Sequence, residues 1–522
     1  MGASPARRPS LFLIAPALVV GAGMLLPLAY LVARAFDADA ATLAEVVFRW
    51  RNLTLLLNTL ALTACVLVIV TAIALPLAWL VTRSDLRFKA LHSVLGVLPL
   101  AVPGYVMAYA LIGLSGYYGF ANQLFGIRLP RPEGLWGSAL ALSLYTFPYL
   151  FLNLRASLLG LDPSLEESAR CLGRSPWNTF RTVTLPHLAP ALLAGWLVIG
   201  LYVLGDFGVI ALMRYEVFSY AIYTQYAAAF DRVYAAWLSL MLIAVTLSFI
   251  LIEARLRRGR YARIGKGTAR PPALAPLGRF RPLAFAFLAL VYAASLGLPL
   301  VVLAYWMAQS LAVVDMAEVL RAFERTALTA IPAALLATGL ALPVVYLTVR
   351  FPSPLASLVD RLVYVGYAVP PLAFALSMVF FALNAAPFLY QTLALLVFAY
   401  AMTFLALAMG PLRSRLYQIG PRLEEVSRSL GCGPGRAFMR ATFPLMRRPM
   451  VAAGLLVFIS VVKELPITFL LSPTGHTTLS MAVFSRTSEG MMAEAAPYAL
   501  MIVVFSSFFV GLILRYEGRG RS

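Results

Sequence analysis

The sequence predicts an all-α, polytopic membrane protein with twelve membrane helices in two tandem six-helix units. Three observations carry that prediction. Of the 522 residues, 61% are hydrophobic and 12% charged, with a mean hydropathy of +0.85. Soluble domains run near 25% charged, so the polar residues here are too few to cover a water-facing surface. Apolar runs of about 20 residues recur along the chain, the length a helix needs to cross a bilayer. Finally, Leu165–Pro186 (LEESARCLGRSPWNTFRTVTLP) returns 258 residues later as Leu423–Pro444 (LEEVSRSLGCGPGRAFMRATFP).

The first unit, residues 1–255, has spans expected near 11–34, 55–81, 90–113, 136–158, 188–212 and 234–254. The second, residues 282–522, has spans near 282–308, 326–349, 356–383, 388–412, 448–471 and 494–514. Pro76, Pro103, Pro343 and Pro370 fall inside these spans. Neighbouring helices can satisfy the carbonyls that proline frees, so these prolines do not rule the spans out. The repeat reaches beyond the two polar islands. Ala74-Leu75-Pro76 through Arg83 matches Ala341-Leu342-Pro343 through Arg350 at an offset of 267, as does Ala101-Val102-Pro103 with Ala368-Val369-Pro370. The offset falls to 258 because the loop Ser115–Glu133 is long and its counterpart near Asn384–Pro387 is short. An even number of spans per unit makes the two halves parallel, related by an axis along the membrane normal.

Loop charge sets the orientation. Residues 255–281 hold nine Lys/Arg and no acid, and 413–448 hold eight Arg against Glu424 and Glu425. The loop after the first span carries Asp37, Asp39 and Glu45 against Arg49 and Arg51. The positive-inside rule then places both termini, the linker 256–281 and both islands in the cytoplasm. Pro271, Pro272 and Pro276 make that linker a flexible tether. The net charge of +20 is read as attraction to anionic headgroups, not to nucleic acid. Arg7 and Arg8 precede an apolar run too long for a signal-peptide core, so the first span is expected to stay uncleaved. Cys65, Cys171 and Cys432 form no CxxC pattern, and His92, His187 and His476 are far apart, which gives no disulfide framework and no metal assignment. No phosphate-binding loop, nucleophile elbow or HExxH is present, so no catalytic residue and no bound cofactor is expected.

The islands, 162–187 and 420–445, read as helix, glycine turn, helix. Asp162 is a good N-cap and Pro163 a good first helical residue; Glu166 and Glu167 complement the dipole of the first turns; Gly173 stops the helix after about nine residues. Ser175-Pro176 starts the next helix by the same rules. Gly420-Pro421, Gly431 and Gly433-Pro434 repeat the design. Leu165, Ala169 and Leu172, like Leu423, Ser427 and Leu430, fall on one helical face. Such a face either docks in a partner's groove or packs on the protein's own spans, and spacing does not choose between them.

Glu167-Ser168-Ala169, Gly173, Val183, Leu185 and Pro186, and again Glu425-Val426-Ser427, Gly431, Ala441, Phe443 and Pro444, resemble the EAA loop of ABC importer permeases. Ser168, Val426 and Ser427 depart from that pattern but remain small or medium-sized. The resemblance covers essentially the whole chain and implies two type I importer (MetI-like) units. It also implies coupling helices that sit in clefts of two cytoplasmic ATPase subunits, which hold the ATP and magnesium. A periplasmic or extracellular solute-binding protein would deliver cargo to this bacterial inner-membrane subunit.

For cargo, Val462-Lys463-Glu464-Leu465-Pro466-Ile467-Thr468 and Thr487-Ser488-Glu489-Gly490 resemble the iron(III) permeases, with thiamine, aminoalkylphosphonate and polyamine importers as relatives in the same class. Asp206 and Glu464 are equivalent in the repeat. An ionisable group inside a span lines a path or is paired. Asp206 therefore either meets cargo, with Tyr202 one turn before it adding a phenolic oxygen, or caps a broken helix or pairs with Lys463. Glu489, Glu494 and Asp231 are read as solvated loop charges. An ion-coupled secondary transporter is the reading from another class, but it gives no reason for two matched polar islands.

Overall fold

The computed structural model describes residues 10–257, 274–311 and 313–518. Among these, all regular structure is helical apart from one isolated bridge, Ser84 to Ala275. Among the described residues nine helices are long and apolar enough to cross a membrane, or up to twelve when each of three bent pairs is taken as one span.

Two of the four in-span prolines lie at bends. Lys89–Ala101 and Gly104–Leu114 meet at 90°, and Pro354–Ala368 and Pro371–Ala385 at 111°. Pro76 and Pro343 instead lie within the unbroken helices Trp50–Arg83 and Met316–Arg350. The difference is local density. Pro99 and Pro103 are one turn apart, and Pro370 is followed by Pro371, so two N–H donors vanish within one turn. The residues before the breaks, Val102 (ψ 115°) and Val369 (ψ 127°), are pushed out of the helical region. The fifth and eleventh spans also stop early, at Gly205 and Val462, each followed by a short helix: Gly208–Leu212 and Pro466–Leu471.

The sequence units are not the packing units. Leu11–Ala35 packs on Met316–Arg350, Pro354–Ala368 and Pro371–Ala385 of the second half. A Cβ on Gly366 would stand 2.3 Å from the Met24 sulfur, so any larger residue there would have to move the Met24 side chain. In return Leu298–Ser310 packs on Gly104–Leu114, where Trp306 Nε1 donates to the Gly113 carbonyl at 3.1 Å. Each half therefore lends its first span to the other.

Residues 258–273 of the linker, the Arg7-Arg8 segment and the last four residues lie outside the described residues. The linker's far end is anchored rather than free. Ala275 exchanges backbone bonds with Arg83 and Asp85, at 2.8 and 3.1 Å. The Asp85 carboxylate accepts from Leu277 N–H at 2.9 Å and Arg281 at 3.0 Å. Both partners of that ion pair are partly exposed, so Asp85→Ala is expected to cost no more than about 1 kcal/mol. It should nevertheless release the strap and speed tryptic cleavage at Arg279 several-fold; an unchanged cleavage rate would show that the backbone pairing alone holds it.

Candidate functional site

Each island folds as its caps dictate. Pro163–Cys171 is a nine-residue helix whose N-cap, Asp162, accepts from Ser164 N–H at 3.0 Å. Those Ser164 bonds hold the Asp162 carboxyl below its ordinary pKa. Ser175 caps the next helix through Asn178 N–H. Gly173 (φ +80°) and Gly431 (φ +86°) are left-handed. The next N–H reaches back to the helix, Arg174 to Ala169 O and Cys432 to Ser427 O, both at 3.2 Å, which is a Schellman closure. A Cβ on either glycine meets nothing within 4 Å. The requirement is therefore for the backbone angle alone, and replacement by valine should cost about 1–2 kcal/mol at each turn.

The apolar face expected at Leu165, Ala169 and Leu172 is split. Ala169 is buried against the chain itself and Leu165 is half-buried, while Leu172 is 82% exposed. In the second island Leu423 and Leu430 are exposed and Ser427 is half-buried. The helix ends before Leu172, which lies on the glycine turn. The outward apolar set is Leu172 with Trp177 in one island and Val426 with Leu430 in the other. Glu167 and Glu425 are exposed, as are Pro186 and Pro444 at the entry to the next span.

What ties each island to the membrane helices is the glutamate beside the EAA-type one. Thr184 donates to Glu166 Oε1 at 2.7 Å, and Arg83 stands 3.8 Å from Glu166 Oε2. Arg83 is buried at the end of the second span and also donates to the carbonyls of Leu158 (3.0 Å) and Leu161 (3.3 Å). In the second half, Thr442 donates to Glu424 Oε1, Tyr346 donates to Glu424 Oε2 at 2.5 Å, and Arg350 donates to the carbonyls of Gly420 (2.5 Å) and Leu416 (3.4 Å). Thr184 and Thr442 each end a π-helical turn, Phe180–Thr184 and Phe438–Thr442, that leads into the next span. Sequence reading gave Glu166 only a dipole role and passed over Arg83, Arg350, Thr184 and Thr442. All of them sit in repeat register, which was the available signal.

The two interior carboxylates cap helix breaks. Asp206 Oδ1 accepts from Val209 N–H at 2.9 Å, and its carbonyl from Ser219 at 2.7 Å. Glu464 accepts from the N–H groups of Ile467 (2.9 Å) and Thr468 (3.0 Å) and from the Thr468 hydroxyl (3.0 Å); its carbonyl takes Ser480 at 2.8 Å. Pro466 supplies the first residue of the restarted helix. The considered pairing of Asp206 with Lys463 is not made: Lys463 Nζ donates to the Leu100 carbonyl of the first half at 2.7 Å. Tyr202 does not bond Asp206 either. It accepts from Tyr149 at 2.8 Å, and Tyr145 is the phenol on Asp206, at 3.3 Å. The breaks support each other across the interface, since Phe207 packs on Phe469 and Phe484 with ring centroids 6.0 and 5.3 Å apart. Two charges read as solvated are engaged: Glu494 pairs with Arg486 at 3.7 Å and Asp231 caps Tyr234 N–H at 3.0 Å.

The family described as binding-protein-dependent transport system inner membrane component matches residues 73–260 and 330–518. The chain is 35% identical to the Fe(3+)-transport system permease protein FbpB 2 of Haemophilus influenzae, over 98% of this chain and 99% of that one. It is 31% identical to the molybdenum transport system permease protein ModB of Escherichia coli over 36% of this chain and 86% of that one. With the sulfate transport system permease protein CysT of Escherichia coli the identity is 30%, over 36% and 69%.

Proposed function

Because the chain belongs to the binding-protein-dependent transport inner membrane component family and carries its domain twice, we propose that it alone forms the membrane path of an ATP-driven ferric-iron importer. The ferric assignment is supported by the similarity to an Fe(3+) permease along the whole chain. The observation that carries the driving mechanism is the pair of matched islands, each closed by a left-handed glycine and locked by a glutamate–threonine bond.

In this reading one ATPase subunit docks on each island, on the cytoplasmic side, through Leu172 and Trp177 or Val426 and Leu430. ATP and magnesium stay on those subunits. Closure of the ATPase pair pushes the first island helix. Glu166 or Glu424 passes the push to Thr184 or Thr442 and so to the fifth or eleventh span. Arg83 and Arg350 pass it to the second and fourth spans of each half through the carbonyls they hold. ATP and the loaded solute-binding protein each favour the outward-open state, which is what allows them to shift it. Asp206 and Glu464 set the breaks at which the fifth and eleventh spans end, next to the interface that must open.

The test is purification of the chain with its ATPase and loaded binding protein, followed by uptake of radiolabelled ferric iron into proteoliposomes. The wild type should accumulate iron only with ATP inside and binding protein outside. A Gly173→Val/Gly431→Val double variant should lose the co-purifying ATPase. Retention of the ATPase by that variant would remove the islands from the docking role, and no iron uptake by the wild type would overturn the cargo.

A further inference from the structure

Four phenols and one carboxylate gather at one side of the interface between the halves, and the coupling islands do not use them. Tyr149 donates to the Tyr202 hydroxyl at 2.8 Å with the rings stacked 5.0 Å apart. Tyr145 donates to Asp206 Oδ2 at 3.3 Å. Tyr367 comes from the bent span of the second half, which meets the fifth span here: a Cβ on Gly205 would stand 3.0 Å from Pro371 Cδ. Tyr202 is 39% exposed, Tyr149, Tyr367 and Asp206 are half-buried, and Tyr145 is buried behind them. Among the described residues no cation pairs with Asp206. Polar and ionisable groups inside a membrane segment face protein or a water-filled path and not lipid.

The equivalent place around Glu464 is chemically different. Tyr145, Tyr149 and Tyr202 correspond to Thr403, Leu407 and Ser460, Tyr367 corresponds to Leu100, and Gly205 to Lys463. Glu464 is 6% exposed, and its two oxygens are taken by Ile467 and Thr468. The phenols near it, Tyr105 and Tyr400, are buried. The Lys463 ammonium stands over the break, bonded to Leu100. One carboxylate is thus buried and capped beside a lysine amine; the other is half-buried and stands among phenol oxygens.

We propose that Asp206 with the phenols of Tyr145, Tyr149, Tyr202 and Tyr367 is a transient binding station for a hard trivalent cation on its way through the path, and that Lys463 turns the cation away from the other side. This rests on the ferric-cargo reading. Oxygen donors suit a hard cation, and among the described residues no three His, Cys, Asp or Glu side chains converge to offer another set. Each phenol that coordinates releases its proton to water and the iron stays ferric, so no reductant is needed. The Tyr149–Tyr202 bond holds the empty station together and is exchanged for the metal.

The test uses the complete transporter in proteoliposomes. Tyr149→Phe/Tyr202→Phe removes two hydroxyls and keeps both rings, so packing survives. Ferric-iron uptake should fall at least about tenfold, which corresponds to about 1.4 kcal/mol, while ATPase stimulation by loaded binding protein stays within about twofold. Tyr105→Phe, whose hydroxyl has no partner, should leave uptake unchanged. The purified wild-type chain given ferric citrate should develop a visible phenolate-to-iron absorption band that the double variant lacks. Undiminished uptake by the double variant, or persistence of its band, would overturn the station while leaving the cargo reading intact. If the wild type moves no iron, the cargo reading falls and the station with it.

Discussion

Replacing both Glu166 and Glu424 by alanine is expected to abolish ATP-driven uptake while leaving the chain folded in the membrane. Among the described residues, each carboxylate makes the only side-chain hydrogen bond between the first island helix and the turn that leads into the next span. Its loss leaves Arg83 with the Leu158 and Leu161 carbonyls, and Arg350 with those of Leu416 and Gly420. The guanidiniums, Arg83 buried and Arg350 half-buried, therefore keep carbonyl partners, and the cost is a local one of about 1–3 kcal/mol per island, larger at Arg83, whose buried charge also loses its carboxylate. The ATPase should still bind, because Leu172, Trp177, Val426 and Leu430 are untouched. A first helix that slips on its support cannot deliver its stroke, so hydrolysis should continue while uptake drops by more than about tenfold, a slip worth over 1.4 kcal/mol. Glutamine at both positions keeps an acceptor for Thr184 and Thr442 and should restore part of the uptake. Hydrolysis and uptake measured side by side in proteoliposomes decide the matter. If both fall together, the glutamates serve assembly and not transmission.

The spans and the duplication were legible because they depend on composition and on exact sequence register. The islands' caps and turns were legible for a related reason: Asp162-Pro163, Ser175-Pro176, Gly173 and Gly431 act on their own few residues. What stayed hidden depends on which residues meet. Pro76 and Pro103 read alike in a hydropathy profile, yet one is absorbed and the other begins a right-angle bend, because Pro99 stands one turn before Pro103. Lys463 could not have been assigned to the Leu100 carbonyl from its own neighbourhood, since the two are 363 residues apart. The exchange of first spans was equally invisible: an apolar helix shows that it is buried, not in which half. Glu166 was overlooked for a different reason. The motif drew attention to Glu167, which is exposed, and a carboxylate in a first turn already had a sufficient local explanation in the helix dipole.

The repeat-related carboxylates should separate when mutated, stability following one and transport the other. Glu464→Ala leaves the N–H groups of Ile467 and Thr468 without an acceptor in a place that is 6% exposed. An unsatisfied buried donor costs about 1–3 kcal/mol, so the two together should lower stability by about 3 kcal/mol. Asp206→Ala strips one N–H, that of Val209, in a half-exposed position that water can reach. It loses an N-cap, about 1 kcal/mol, and the weak 3.3 Å acceptor of the Tyr145 hydroxyl, which together stay below the cost at Glu464. Thermal unfolding of the purified chains in one detergent should therefore place Glu464→Ala several degrees below Asp206→Ala. Glu464→Gln keeps one carbonyl oxygen toward Ile467 and should fall between Glu464→Ala and the wild type. For uptake the order should invert: Asp206→Asn, which keeps a cap for Val209 but no charge, should lose ferric transport, whereas Glu464→Gln should retain most of it. Equal stabilities for the two alanine variants would mean that water reaches both breaks alike, and the buried character of the Glu464 side, on which the one-sided path depends, would be lost.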